Sequence, residues 1–210
     1  SDLRLREAYL RALELELAEA RRKHGPLVFD TVYLGGGTPS ALSVGEMDRV
    51  FELLRKNFAW KSEAEITCEV NPGEVDAEKF QAYRRLGVNR ISLGVQSTND
   101  RLLQATNRAH DAADARRTSE LAREVGFDNL SMDLILRLPK QEIGDVTRSI
   151  DDIVEWGAQQ IVYYDLSVHQ NTHYGVLQKQ GKLPLPPEEV HEAMFKVVEE
   201  RMEAAGFVHY

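Results

Sequence analysis

The chain has 210 residues, with 26 basic against 34 acidic side chains for a formal charge of −8, 42% hydrophobic and 29% charged residues, and a single cysteine. The size suits one large domain, the composition excludes wholesale disorder, and the acidic balance speaks against a nucleic-acid or anionic-membrane binder. Cys68 alone excludes a disulfide framework and any zinc or iron–sulfur site held by several of the chain's own thiolates.

Leu10, Leu13 and Leu17 stripe one face of a helix that stops before Gly25-Pro26. The start, Ser1-Asp2-Leu3-Arg4, lacks a signal peptide's apolar stretch, and no apolar run reaches the ~18–20 residues of a membrane span. A cytoplasmic protein is expected, and the missing initiator Met suggests a processed or cut chain. Thr31-Val32-Tyr33-Leu34 reads as a first strand, and Gly35-Gly36-Gly37-Thr38-Pro39-Ser40 follows it directly. Ser43 with Glu46 is a capping box ahead of Met47, Val50, Phe51 and Leu54 at helical spacing. Residues 65–71 form a second strand. Three times thereafter an amphipathic stretch ends at a glycine and leads into a β-rich run: Gly87 into Ile91–Gln96, Gly126 into Leu130–Ile135, and Gly157 into Ile161–Leu166. Each glycine reads as a helix C-cap. Val146, Ile150, Ile153 and Val154 stripe one later helix, and Val190, Met194, Val197 and Met202 another. A fourth glycine closure, at Gly206, stands just before the last residue, Tyr210, where another strand is expected to begin.

Five strands alternating with helices call for a parallel sheet, as a barrel or a doubly wound sandwich. Strand parity favours the barrel. Ile66, Cys68 and Val70 share one face, with Thr67, Glu69 and Asn71 on the other. Ile91, Leu93 and Val95 oppose Ser92, Gly94 and Gln96, while Leu130, Met132 and Leu134 oppose Ser131 and Asp133. A doubly wound parallel sheet is apolar on both faces, whereas a barrel has a helix-covered outside and a lumen that can be polar. A lumen holding Glu69, Gln96 and Asp133 needs partners or a polar ligand. Strand-end loops at one rim of such a barrel are where its chemistry collects, and the glycine loop could bring backbone N–H groups close to that ligand. Cys68, on the helix-covered side, reads as a core residue. Arg108 and His110 default to a solvated loop, His169 and His173 to loop positions, and Arg116-Arg117 to a solvated helix face.

Tyr33–Ser40, Glu65–Gly73, Gly87–Ser97, Met132–Ile135 and Tyr164–Leu166, in this order, resemble segments of the radical SAM proteins of the oxygen-independent coproporphyrinogen III oxidase family, most of all its HemW, haem-chaperone-like branch. The resemblance implies an incomplete, six-stranded TIM-like (β/α)6 barrel with five of its strands in this chain. It places the barrel core at residues 1–187, with a helix leading into a truncated C-terminal region at 188–210. It implies S-adenosylmethionine (SAM) as cofactor, with Gly36, Gly37 and Thr38 at its methionyl end, Glu69 and Arg108 at its amino and carboxylate groups, and Gln96 and Asp133 at its ribose. A [4Fe–4S] cluster belongs to the family, but its CxxxCxxC ligands are absent here, so no metal ligand or catalytic residue is assigned and the chain as given is expected to be inactive. Haem or a porphyrin is the further small-molecule partner implied. A cluster-less haem-binding or haem-transfer module is the alternative. Departures from the family pattern are Arg137, Asn107, Lys140 and Asn171 where glycine is usual, Thr98 for an aromatic, and His169 for a glutamate.

Overall fold

The computed structural model describes residues 3–210; Ser1 and Asp2, which head the stretch read for a leader, lie outside the described residues. In chain order the elements are α1 (Leu3–His24), β1 (Val28–Leu34), a 3-10 turn (Pro39–Ala41), α2 (Val44–Asn57), β2 (Ala59–Val70), α3 (Ala77–Leu86), β3 (Arg90–Gln96), α4 (Asp100–Ala105), α5 (Ala112–Glu124), β4 (Asn129–Leu136), α6 (Ile143–Glu155), β5 (Gln160–Asp165), α7 (His173–Lys179) and α8 (Glu188–Ala204). The five strands pair in parallel in the order of the sequence, and the sheet curls into a half-barrel with the helices outside. No described helix is long and apolar enough to cross a membrane.

The core lies between the outer face of this sheet and the helices. Ile66, Cys68 and Val70, then Ile91, Leu93 and Val95, then Leu130, Met132 and Leu134 are all buried there. They join one cluster with Phe51 of α2, Phe80 and Tyr83 of α3, and Val146, Ile150 and Ile153 of α6. At ~1.5–3 kcal/mol for each large apolar side chain removed from water, this layer is what holds the strands in register. A one-residue slip would turn each apolar set into the lumen.

Local signals place the helices. The Ser43 hydroxyl accepts from the Glu46 N–H, and Glu46 accepts from the Ser43 N–H at 2.8 Å. Gly87, Gly126, Gly157 and Gly206 all take positive φ, between 79° and 98°, as helix closure demands. β1 and β2 begin earlier than the pattern suggests, because Val28 and Phe29 pair with Ala59 and Trp60 across an irregularity before Thr31. The run Lys61-Ser62-Glu63 between has no apolar alternation to announce a strand.

Three departures from the family pattern now have a backbone meaning. Asn107, Arg137 and Lys140 have φ of 55°, 64° and 61°, the left-handed region in which a side chain costs about 1–2 kcal/mol. Lys140 is exposed, and its N–H donates to the Pro184 carbonyl at 2.9 Å, a bond glycine would keep. Lys140→Gly is therefore expected to stabilise the protein by about 0.5–1 kcal/mol after allowing for glycine's freer unfolded chain. Chemical denaturation checks this; a loss of stability would mean the side chain contributes more than the strained backbone costs.

Candidate functional site

The inner face carries the polar halves of the same strands. The pairings Tyr33 with Thr67, Glu69 with Ser92, Ser92 with Ser131 and Asp133 with Val162 set these side chains in rows around the lumen. At the N-terminal end Arg90 closes the floor. It donates to the Thr67 hydroxyl at 3.2 Å and to the Gln160 side-chain carbonyl, and lies 3.7 Å from Glu65. Above it the Ser92 hydroxyl lies 3.4 Å from each Asp133 oxygen. At the C-terminal rim Glu69 accepts from the Tyr33 hydroxyl at 2.8 Å and from the Gly36 N–H at 3.0 Å. The glycine loop is thus tied to a lumen carboxylate through its own backbone.

These groups make the lumen anionic. Burial first, then the charge of Glu69, pushes the Asp133 carboxyl up to about 6. Burial and the hydrogen bond to Glu69 push the Tyr33 hydroxyl up to about 12, and Tyr164 is raised by burial, Asp133 and Glu69. Neither Glu69 nor Asp133 has an ion-pair partner among the described residues. Arg90 at the floor lowers the Asp133 carboxyl only at a distance and pairs with neither carboxylate, so the two favour a ligand that brings positive charge or hydroxyl donors.

The glycines differ in what they do. A Cβ on Gly35 would stand 2.6 Å from Tyr33 Cε1 and 2.7 Å from Glu69 Oε1, so this residue is cut to fit the pair beside it. A Cβ on Gly36 or Gly37 would meet nothing within 4 Å, which leaves that side of the loop open. Thr38 has φ 66° and begins the 3-10 turn without a side-chain cap bond. Gln96 has φ 68°, at a register irregularity between Leu93 and Gln96, and its amide reaches back over Gly94 towards Asn71. Positive φ at two such non-glycine residues on one rim is the kind of strain that collects at ligand sites.

Of the residues singled out in the sequence, Gly36, Glu69 and Asp133 come together around the lumen, and Gly37, Thr38 and Gln96 line its rim. Arg108 is half-buried; its N–H donates to the Leu103 carbonyl at 3.0 Å, but its guanidinium makes no hydrogen bond or ion pair among the described residues and is not joined to Glu69. Three expectations need correction. His110 is buried, not solvated: its ring lies 3.2 Å from the Val95 carbonyl, and burial lowers its pKa. His173 opens α7 rather than lying in a loop. On α8 Met194 is buried as expected, but its buried apolar partner is Val198, with Val197 half-buried, and His191 shares the buried stripe.

Tyr33, Arg90, Tyr164 and His191 escaped the sequence reading. Strand parity applied to Tyr33 and Arg90 would have found both on the inner face. His191 has no such signal; only the fold sets its ring 2.7 Å from Asp165 and 3.4 Å from Glu188. Arg137, at the end of β4, pairs with Glu188 at 3.3 Å, which ties its guanidinium to α8. Cys68 is on the helix-covered face, buried, with its thiol pushed up to about 12 by burial. It does not fit a cluster ligand, and no group of three or more potential metal-ligating side chains is gathered among the described residues.

The profile of the Radical SAM superfamily matches residues 4–153. The chain is 35% identical over 205 residues to the heme chaperone HemW of Bacillus subtilis (97% of this chain, 54% of that protein). It is 33% identical over 183 residues to HemW of Escherichia coli (86% and 47%), so it spans about half the length of the curated relatives it matches. The solved structure of coproporphyrinogen III oxidase (HemN) from Escherichia coli, described as a radical SAM enzyme, is similar with a TM-score of 0.85 at 27% identity, covering 96% of this chain and 46% of that one. With more than half of its residues matched by the superfamily profile and its half-barrel shared with HemN, the chain belongs to the radical SAM superfamily, where its likeness is to the HemW and HemN proteins.

Proposed function

We propose that the anionic lumen is a SAM site and that the protein works in haem or porphyrin metabolism, in the cytoplasm. The observation that carries the site is the pair of lumen carboxylates without an ion-pair partner among the described residues, beside a glycine loop where a Cβ on Gly36 or Gly37 would meet nothing within 4 Å. SAM suits this site chemically: it has an ammonium and a sulfonium for an anionic cavity and vicinal hydroxyls for a carboxylate. When bound, SAM supplies the adenosyl group from which this superfamily draws its radical.

In this reading Glu69 accepts from the ammonium while keeping the Tyr33 hydroxyl and the Gly36 N–H as its fixed donors. Gly36, Gly37 and Thr38 present backbone groups to the methionyl end. Asp133 and Gln96 accept the ribose hydroxyls, with Ser92 holding the aspartate from below. Arg108 serves the SAM carboxylate, for which its freedom from protein ion pairs leaves it available. The one thiol of the chain, Cys68, is buried against the helices and does not reach the lumen as a ligand for an iron–sulfur cluster. Support for haem or a porphyrin as the further ligand is the similarity to proteins called heme chaperones and to coproporphyrinogen III oxidase.

Calorimetric titration with SAM tests the site. Glu69→Ala is expected to weaken binding about 10–100-fold, the loss of charge-assisted hydrogen bonds to the ligand. Wild-type protein that takes up no SAM, or a Glu69→Ala variant that binds unchanged, would overturn the reading.

A further inference from the structure

Gly35-Gly36-Gly37 has no side chain with which to hold its own loop, and consecutive glycines lose the most freedom on ordering. The hold lies just beyond, at the 3-10 turn. Ser40 is fully buried; its hydroxyl donates to Glu74 Oε2 at 2.6 Å and accepts from the Asn71 N–H at 3.1 Å. Asn71 Nδ2 donates to the other Glu74 oxygen at 3.4 Å. Lys79, in the first turn of α3, donates through Nζ to the Ser40 carbonyl at 2.9 Å and to the Glu74 carbonyl at 3.0 Å. One ammonium therefore grips the loop after β1 and the loop after β2 together.

The second loop is the firmer of the two. The Gly73 N–H donates to the Thr118 hydroxyl of α5 at 3.1 Å, Pro72 is buried, and Asp76 caps α3 by accepting from the Lys79 N–H at 2.9 Å. Through Ser40 this fixed loop reaches the turn that starts at Thr38, where the Ala41 N–H donates to the Thr38 carbonyl and the Leu42 N–H to the Pro39 carbonyl. The left-handed Thr38 needs such an outside hold to persist.

We propose that Ser40, Glu74 and Lys79 form a positioning clamp that sets the backbone of Gly36–Thr38 and thereby the affinity for the methionyl end of SAM. The inference rests on reading the lumen as the SAM site. None of the three side chains touches the ligand; they act through the loop they hold.

The test compares SAM with 5′-deoxyadenosine, which lacks the methionyl group, by calorimetry on the full chain, together with amide exchange at Ala41 and Leu42 in the ligand-free protein. Glu74 is exposed, so Glu74→Ala leaves the core intact. Glu74→Ala and Lys79→Met are each expected to weaken SAM about tenfold, to change 5′-deoxyadenosine less than about twofold, and to speed exchange at both amides. Lys79→Arg keeps donors for the two carbonyls and should restore SAM affinity. Equal losses for both ligands, or unchanged exchange and affinity, would overturn the clamp. Wild-type protein that fails to bind SAM while the variants still speed exchange would sink the site reading and leave the clamp standing as a loop hold.

Discussion

Asp133→Asn is expected to make the protein more stable at neutral pH and worse at holding its ligand. Burial and the Glu69 charge raise the Asp133 carboxyl from 3.8 to about 6 in the folded chain. A folded pKa above the unfolded one means that the native state binds the proton more tightly. The carboxyl's contribution is then fully present below about pH 4 and is lost as the pH rises through 6. At pH 8 the folded protein bears the charge in a poor environment, at about 1–3 kcal/mol. Asparagine has no charge to bury, so denaturant unfolding should show the variant more stable by that amount at pH 8, with the difference fading below pH 6 and gone near pH 4. SAM affinity should fall about 10–100-fold, since a carboxylate accepting ribose hydroxyls makes charge-assisted bonds that an amide does not. A variant that is less stable at pH 8 would show that Asp133 is a satisfied structural carboxylate instead.

Gly35→Ala should disable the site with only moderate damage to the fold. Its Cβ would stand 2.6 Å from the Tyr33 ring and 2.7 Å and 2.9 Å from Glu69 Oε1 and Cδ. The carboxylate end is flexible and gives way first, turning from Tyr33 and leaving the Gly36 N–H without its acceptor. Overpacking of this kind costs about 1–3 kcal/mol, towards the lower end here because Tyr33 is exposed. The effect on SAM should be about 100-fold, because one added methyl displaces both the carboxylate and the loop amide it fixes. If the damage passes through Glu69, the double variant Gly35→Ala/Glu69→Ala should bind about as weakly as Glu69→Ala alone. Fully additive losses would mean that Gly35 approaches the ligand itself.

What was legible beforehand follows the reach of each signal. Parity along Glu65–Asn71, Ile91–Gln96 and Leu130–Ile135 is a local pattern, and it located both the helix-covered core and the polar lumen with Glu69 and Asp133 inside. Glycine closures at 87, 126, 157 and 206 are equally local and all take the expected conformation. The early part of β2 was hidden because Lys61, Ser62 and Glu63 are all exposed and give the strand no apolar face to announce it. The burial of His110 depends on the Val95 carbonyl that it meets across 15 positions of sequence. The His191–Asp165 contact spans 26 positions and has no trace in local composition. Asn107, Arg137 and Lys140 registered as departures from the family pattern; their shared left-handed backbone emerged only in three dimensions.

A crystal structure of the protein with SAM bound tests the central claim most directly. The account predicts the ligand in the lumen, its ammonium against Glu69 and the Gly36–Thr38 backbone, and its ribose hydroxyls against Asp133 and Gln96. SAM bound outside the half-barrel, or in the lumen with neither carboxylate within hydrogen-bond distance, would contradict it.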